Sequence, residues 1–460
     1  MERFTLAQAA EWTGGKAHGA ASLSSVSTDS RQIPPETLFL PLKGERFDAH
    51  DFIAKAVDNG AAAVVSHRQN ETYPVPVLYV ENTAQALLDL AGGYRRLCSG
   101  KVVGVTGSVG KTTTKELLYA VLRQQFCAQK TEGNLNNEVG LPLTLLQMTR
   151  KTEVMVAEMG MNHFGELSRM TAAAQPDIAV ITNIGTSHIE FLGSREGICR
   201  AKLEILEGLR PDGCAVFCGD EPLLWEKRDA LGCRTVTYGI ENPACDLTAY
   251  LHGDSAFDIV NNGLPAVELP QGGRFSAKLS IPGAHNILNA LAAAAVGLLL
   301  GETPEHIAAG LSSYEASGMR QNIYEQNGYC IFADCYNASP DAMEAALKVL
   351  GGMAEGGRRF AVLGSMLELG GYAEEGHRRA GRAAAENADA LYAYGPDADA
   401  MVAGAKERGM AAAYAFDDQA ALVAALRRDA EKGDALLFKG SRGMRMERAL
   451  AWFLGEDVEE

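Results

Sequence analysis

Apolar residues in the middle of the chain recur in short runs rich in β-branched side chains, and stretches with helical spacing separate one run from the next. The first run lies within residues 101–122, and further runs lie at residues 154–159, 178–184, 214–219 and 235–239. Strands that alternate with helices in this way form βαβ units on a mostly parallel sheet. The pattern therefore predicts an α/β fold.

The pattern changes along the chain, which predicts three domains. After about residue 246, alternating segments such as LTAYLHG and FSAKLSI indicate antiparallel strands, and helices are predicted near 285–300 and 304–312. Later segments (RRFAVLG, ADALYAYG and DALLFKG) indicate strands of a second, Rossmann-like sheet. The first block has a Pro-Pro pair and glycine-flanked turns, which favour short strands with little helix. The predicted domains are 1–97, 98–316 and 317–460.

Composition narrows the class of protein. The 460 residues are 47% hydrophobic and 22% charged, as in ordinary globular proteins, and 58 acidic against 42 basic side chains argue against a nucleic-acid partner. The N-terminal stretch lacks the pattern of a secretory signal, and the apolar segment 287–301 is too short and too Ala-rich for a membrane span, which favours a buried helix. Nine scattered cysteines without a CxxC pair predict reduced thiols and a cytoplasmic location. Nothing in the sequence suggests an exposed coiled coil, so a monomer is expected.

The strongest chemical signal is a phosphate-binding loop, TGSVGKT, at residues 106–112. Its glycines let successive backbone N–H groups face an anion, Lys111 neutralises terminal phosphates, and Thr112 offers a hydroxyl to Mg²⁺. The usual pattern has glycine six positions before the lysine, where this chain has Val105. The order of strand, turn and helix favours nucleotide binding over an incidental glycine turn.

Three further polar residues follow apolar runs. Glu158 lies near the end of VMVAEM, and His188 follows the run that ends at residue 184, so both are predicted at the sheet edge where doubly wound folds bind ligands. A solvent-facing glutamate and an ordinary histidine remain alternatives. Lys202 lies fourteen residues after His188 in a helical run, and its spacing alone predicts a solvated face.

Several motifs together resemble one family, the Mur ligases, which extend the peptide stem of the bacterial cell-wall precursor. The motifs span essentially the whole chain, in the family's order: TGSVGKTTTKE, AEMGMN, TNIGTSHIE, RAKLEIL, HNILNALAA, GMR and DCYNASPDAM. The family's loop has the form TGxxGK, which accounts for Val105.

The resemblance implies an ATP-dependent ligase with two Mg²⁺ ions, and it assigns roles to individual residues. Those expected to hold ATP are Gly107, Ser108, Val109, Gly110, Lys111, Thr112, Thr113, Asn286 and Asn289 (as an adenine-reading pair), Asp334 and Asn337. The metal ligands would be Thr112 and Glu158 for one ion, and His188 and a CO₂-carbamylated Lys202 for the other. The implied catalytic set is Lys111, Lys202, His188 and Arg320.

Other motifs resemble the member that adds D-alanyl-D-alanine to UDP-N-acetylmuramoyl-tripeptide; they are KTEGNLNNEVGLPLTLL, DCYNASPDAM and LGSMLELG. The implied substrate residues are Ser30, Arg31 and Lys43 in the first domain, Asn134, Asn136 and Asn137 in the second, and Arg442 in the third, where Lys439 and Ser441 are further candidates. A surface arginine that caps a helix is the alternative for Arg442. A sibling ligase that adds a single amino acid and a non-catalytic nucleotide switch remain rival functions, and the third stem residue, diaminopimelate or lysine, stays open.

Overall fold

The computed structural model describes residues 1–44, 47–264, 273–316, 319–353 and 356–456. It is an α/β protein whose three main sheets follow one another along the chain. The predicted domain start at residue 317 and Gly318 of the GMR motif lie outside the described residues. The boundaries themselves stay predictions.

The N-terminal part carries a sheet of order β2-β7-β6-β5-β4 and a small β1-β3 pair. Its elements are β1 (Phe4–Thr5), α1 (Leu6–Thr13), β2 (Lys16–His18), β3 (Ser22–Leu23), β4 (Ser25–Ser27), β5 (Thr37–Phe39), a 3₁₀ turn (Ala49–Phe52), α2 (Ile53–Asp58), β6 (Ala63–Ser66), β7 (Val77–Tyr79) and α3 (Thr83–Arg95). The expectation of little helix was wrong, because α3 has 13 residues. It packs against α1 and against two helices of the next domain.

The central part carries a sheet of order β16-β15-β14-β13-β12-β11-β8-β10-β9. Its elements are β8 (Lys101–Thr106), α4 (Lys111–Leu122), β9 (Ala128–Lys130), α5 (Gly140–Leu145), β10 (Val154–Glu158), α6 (Glu166–Ala174), β11 (Ile178–Ile181), α7 (Ile189–Leu192), α8 (Arg195–Leu203), a 3₁₀ turn (Glu204–Leu206), β12 (Cys214–Cys218), α9 (Pro222–Trp225), a 3₁₀ turn (Arg228–Ala230), β13 (Arg234–Gly239), β14 (Leu247–Leu251), β15 (Ala256–Asn261), β16 (Arg274–Lys278), α10 (Ala284–Leu300) and α11 (Pro304–Ser312). Strands β8 to β14 pair in parallel, and β14, β15 and β16 form the predicted antiparallel extension.

Two apolar cores cover the faces of the central sheet. Alternate residues of β8 enter opposite cores, since Val102 packs with α3, α5 and α6, whereas Val103 and Val105 pack with α4 and α10. Helix α10 is the predicted buried helix, and most of its residues are inaccessible to solvent. Within the described ranges, no helix is both long and apolar enough to cross a membrane.

The C-terminal part carries a sheet of order β17-β18-β22-β19-β20-β21, parallel except for β17. Its elements are β17 (Asn322–Gln326), β18 (Tyr329–Asp334), α12 (Pro340–Gly351), β19 (Arg359–Gly364), a 3₁₀ turn (Gly370–Tyr372), α13 (Ala373–Asn387), β20 (Ala390–Tyr394), α14 (Ala398–Glu407), β21 (Ala413–Phe416), α15 (Gln419–Asp429), β22 (Ala435–Lys439), a 3₁₀ turn (Arg442–Met444) and α16 (Met446–Leu454). The three strands predicted here are confirmed as β19, β20 and β22.

Candidate active site

The phosphate-binding loop connects β8 to α4 at the carboxyl edge of the central sheet. Gly107 and Gly110 have φ angles of 152° and 84°, which L-residues rarely adopt. A Cβ atom on Gly110 would lie 2.6 Å from Asn289 Oδ1, so the loop and α10 approach too closely for a side chain there. The Lys111 ammonium donates to the Gly107 carbonyl (2.8 Å). The Ser108 hydroxyl is buried without a hydrogen-bond partner among the described residues, as expected of a group that meets a ligand.

Glu158 is buried at the end of β10, directly beside the loop. Thr112 Oγ1 lies 3.0 Å from both carboxylate oxygens, and Asn136 donates to one of them at 2.8 Å. The Lys115 ammonium, also buried, is 3.6 Å from the same carboxylate. A threonine hydroxyl and a carboxylate at the start of α4 are oxygen donors of the kind that Mg²⁺ prefers. Lys115 is a neighbour that sequence reasoning missed.

Lys202 is only 1% exposed although it lies on α8, so the solvated face predicted from its spacing was wrong. Among the described residues, neither a carboxylate nor a hydrogen bond stabilises its charged form. Burial lowers the pKa of Lys202 well below its usual range, and the nearby Lys111 cation lowers it further. Burial of this kind disfavours the charged form of a lysine and favours its nucleophilic free amine.

His188 immediately precedes α7 and has a φ angle of 62°, and its Nδ1 atom lies 2.7 Å from Glu368 Oε2 of the C-terminal part. This hydrogen bond lowers the pKa of Glu368. Two residues earlier, Thr186 donates to Asp341 through its backbone N–H (2.8 Å) and its hydroxyl (2.9 Å). The segment that carries His188 is therefore held between the two sheets.

The C-terminal part supplies the opposite wall. The Arg320 guanidinium stacks on the Tyr336 ring at 3.8 Å, and Lys439 pairs with Asp334 and donates to the Asn337 carbonyl at 3.0 Å. A cavity of about 320 Å³ lies between the walls. Its lining includes Ser108, Val109, Gly110, Lys111, Thr112, Thr113, Asn136, Asn137, Glu158, His188, Arg320, Asp334, Asn337 and Lys439.

The predicted adenine pair lies beside this cavity. Asn286 and Asn289 are buried on one face of α10, where Asn286 donates to the Gln321 side chain at 2.8 Å and Asn289 accepts from Thr114 at 3.1 Å. Neither is among the lining residues described for the cavity, whereas Gln321 and His285 are. Burial lowers the pKa of His285 to about 4, so its imidazole is neutral at neutral pH. Sequence reasoning missed both lining residues, because their role depends on contacts between distant segments.

The other predicted substrate residues lie away from this cavity. Arg31 pairs with Asp29 on the surface, and the Ser30 carbonyl accepts from Asn59. Lys43 is exposed in an isolated β-bridge with Asp48, and Asn134 is exposed in a turn.

Arg442 is 56% exposed at its side chain and pairs with Glu447 of α16 at 2.6 Å. This is the contact expected of the helix-capping alternative, and a substrate role for Arg442 stays a prediction.

Family models match the chain in three consecutive segments. They are "Mur ligase family, catalytic domain" at residues 22–95, "Mur ligase middle domain" at 105–297 and "Mur ligase, glutamate ligase domain" at 319–442. The chain belongs to the Mur ligase family. The middle-domain match contains the phosphate loop, Glu158, His188 and Lys202, and the third match contains Arg320, Asp334 and Asn337.

Individual relatives align with this chain along nearly its whole length. The UDP-N-acetylmuramoyl-tripeptide–D-alanyl-D-alanine ligase of Bacillus subtilis (strain 168) is 41% identical over 92% of each chain. A crystal structure of MurF from Acinetobacter baumannii superposes with a TM-score of 0.89 at 33% identity, covering 99% of this chain and all of that one. MurF ligase from Thermotoga maritima, solved in complex with ADP, has a TM-score of 0.83 at 33% identity over 94% of this chain and 97% of its own.

Proposed function

We propose that this protein uses ATP to join the terminal carboxylate of UDP-N-acetylmuramoyl-tripeptide to the amine of D-alanyl-D-alanine, through an acyl phosphate, releasing ADP and phosphate. The observation that carries the proposal is the convergence of the phosphate loop, Glu158 and His188 with Arg320 and Asp334 around one cavity. The two substrates are those that appear in the names of its relatives. The ADP in the Thermotoga maritima structure supports ATP as the nucleotide.

Two Mg²⁺ ions belong to this proposal, and the residues present fit them. Thr112 and Glu158 offer oxygen atoms beside the loop, while His188 still has its Nε2 atom available because its Nδ1 atom meets Glu368. When bound, Mg²⁺ would offset the negative charge of the phosphates as the carboxylate approaches.

Carbamylation would complete the second metal site. Because burial favours the free amine of Lys202, this amine can add CO₂ and release a proton, which leaves a carbamate anion at the site. The new carboxylate oxygens could then face the metal that His188 also serves.

A free carboxylate does not form an amide with an amine directly, because oxide would have to be the leaving group. Transfer of the γ-phosphoryl group to the carboxylate makes phosphate the leaving group, and the amine then attacks the acyl carbon. Two anions must meet in the first step. The fixed cations Lys111 and Arg320 lower its barrier by electrostatic stabilisation, and the loop amides hold the phosphates in position.

The remaining substrate contacts follow the domain division. In our proposal, Asn286 and Asn289 read the adenine, and Asn337 closes over the nucleotide from the C-terminal domain. The UDP moiety meets Ser30, Arg31 and Lys43, the stem meets Asn134, Asn136 and Asn137, and the dipeptide carboxylate meets Arg442. The same proposal has the protein act as a cytoplasmic monomer, in which its nine free cysteines remain reduced.

The test is phosphate release and product mass with ATP, Mg²⁺ and UDP-tripeptide, offered either D-alanyl-D-alanine or single amino acids. Tripeptides ending in lysine and in diaminopimelate are assayed separately. We expect a pentapeptide product only with the dipeptide. A product one residue longer with a single amino acid would assign the sibling activity, and equal turnover without any amine would refute both ligase assignments.

A further inference from the structure

A segment of the C-terminal domain, residues 365–370, reaches across to the central domain and brings Glu368 against His188. The two side chains are 2.7 Å apart, and both residues have a φ angle of 62°. Residues other than glycine rarely adopt this conformation, and it persists only where the surrounding structure enforces it. His188 and Glu368 lie on different domains, and their side chains are in contact. Such enforced backbone conformations cluster at functional sites.

Glu368 differs from the other carboxylates near the cavity in how it is bonded. Thr112 and Asn136 donate to Glu158, and Asp334 is paired with buried Lys439. Among the described residues, the one hydrogen-bond partner of the Glu368 carboxylate is His188, and the side chain keeps 47% of its exposure. It therefore has room to accept hydrogen bonds from a ligand that binds next to His188.

The segment that carries Glu368 also lies against the loop that carries Arg442. The Leu367 backbone N–H donates to Ser441 Oγ at 2.9 Å, and a Cβ atom on Gly443 would lie 2.9 Å from Leu367 Cδ1. A carboxylate and a guanidinium thus sit on adjoining loops. A free dipeptide is a zwitterion whose charged ends are about 7 Å apart when it is extended, and it needs one partner of each sign.

We propose that Glu368 binds the ammonium group of the incoming dipeptide. This inference rests on the proposed function and adds to it the residue that selects a substrate with a free N-terminal amine. The amine is then held next to His188, on the side of the cavity where the acyl phosphate forms. In the same proposal Arg442, on the adjoining loop, exchanges its pairing with Glu447 for the carboxylate of the dipeptide.

The test separates amine binding from the first chemical step. Formation of the acyl phosphate needs ATP and UDP-tripeptide only, and it can be followed by exchange of ¹⁸O between the β,γ-bridge and the β-nonbridge positions of ATP without dipeptide. Ligation is measured in parallel as a function of the D-alanyl-D-alanine concentration. The variants are Glu368→Gln and Glu368→Asp, and the control is Glu190→Gln, which removes the same charge from an exposed residue beside Gly370.

We expect Glu368→Gln to raise KM for the dipeptide about 10- to 100-fold, the usual effect of losing a hydrogen bond to a charged group. The ¹⁸O exchange should stay within about threefold of wild type, Glu368→Asp should recover part of the loss, and Glu190→Gln should behave as wild type.

As a second measurement, D-lactoyl-D-alanine, in which a hydroxyl replaces the ammonium, should compete poorly with the dipeptide for wild type. Glu368→Gln should lose most of that discrimination.

Two results would overturn the inference. An unchanged KM in a folded Glu368→Gln variant would exclude ammonium binding, and an equal loss of ¹⁸O exchange and ligation would show that Glu368 acts only by positioning His188. If wild-type protein shows neither exchange nor ligation, the proposed function itself fails, and the assignment of Glu368 falls with it.

Discussion

Replacing Lys202 by methionine should abolish most of the activity and leave the fold intact. Methionine has a similar length, so the repacking cost is less than about 1.5 kcal/mol. The wild-type side chain is 1% exposed and has no carboxylate partner among the described residues. Each unit by which burial lowers its pKa corresponds to about 1.4 kcal/mol of unfavourable free energy for the charged form. Removing the amine offsets the repacking cost, so the free energy of unfolding should not fall.

The loss of activity should be large because the carbamate would be one of the fixed charges that serve phosphoryl transfer. Removing one such group typically costs about 10²- to 10³-fold in kcat. Phosphate release measures the rate, urea unfolding measures stability, and Lys151→Met at an exposed lysine is the control. In Lys202→Ala, added formate or acetate should restore part of the rate, since a small carboxylate can occupy the space of the carbamate. A Lys202→Met enzyme within about threefold of wild type would refute the reasoning.

Two further predictions concern the phosphate loop and His285, which lines the cavity. Gly110→Ala should lose ATP binding in calorimetry, because its Cβ atom would meet Asn289; Gly133→Ala, where φ is also positive but nothing lies within 4 Å, should bind ATP normally. The pKa of His285 is about 4 in the folded state against a usual 6.5, so only the unfolded chain gains this proton as the pH falls from 6.5. Stability is therefore lost from pH 6.5 down to about 4, by roughly 3 kcal/mol in urea unfolding, and His285→Gln should remove that part of the dependence. ATP binding by Gly110→Ala, or an identical pH profile for His285→Gln, would contradict these two predictions.

Local patterns predicted the parts of the fold that local physics determines. The β8–α4 unit was readable because a β-branched strand, a glycine turn and Lys111 stand in consecutive positions. The alternation of polar and apolar residues predicted the antiparallel extension. The alternation of strands and helices predicted the C-terminal sheet. The same signals identified the carboxyl edge at which Glu158 lies.

Helix α3 was missed for a reason that lies in its packing. It contains Gly92 and Gly93, which lower helix propensity. A Cβ atom on Gly93 would lie 2.1 Å from Trp12 of α1, and one on Gly92 would lie 3.3 Å from the backbone of Ala173. Small residues are required where these helices cross, but only the folded structure shows the crossing. The Asn82 side chain, which caps the helix by accepting from two backbone N–H groups, was the available sequence signal.

The environment of the site depended on contacts that no sequence spacing encodes. Lys202 is buried because the surrounding core closes over α8, and its helical position alone favoured solvent. Glu368 meets His188 across 180 positions of sequence, and Lys115 of α4 contacts Glu158 at the end of β10. Such pairs depend on how the helices, strands and domains pack against each other in the folded structure.

The central claim is that the γ-phosphoryl group passes to the peptide carboxylate and not to water. It is tested most directly with UDP-N-acetylmuramoyl-tripeptide carrying ¹⁸O in its terminal carboxylate, in a complete reaction with ATP and D-alanyl-D-alanine. Mass spectrometry of the released phosphate should show one ¹⁸O atom per phosphate, because the carboxylate oxygen leaves with it. Phosphate without the label, released as pentapeptide forms, would contradict the acyl-phosphate account.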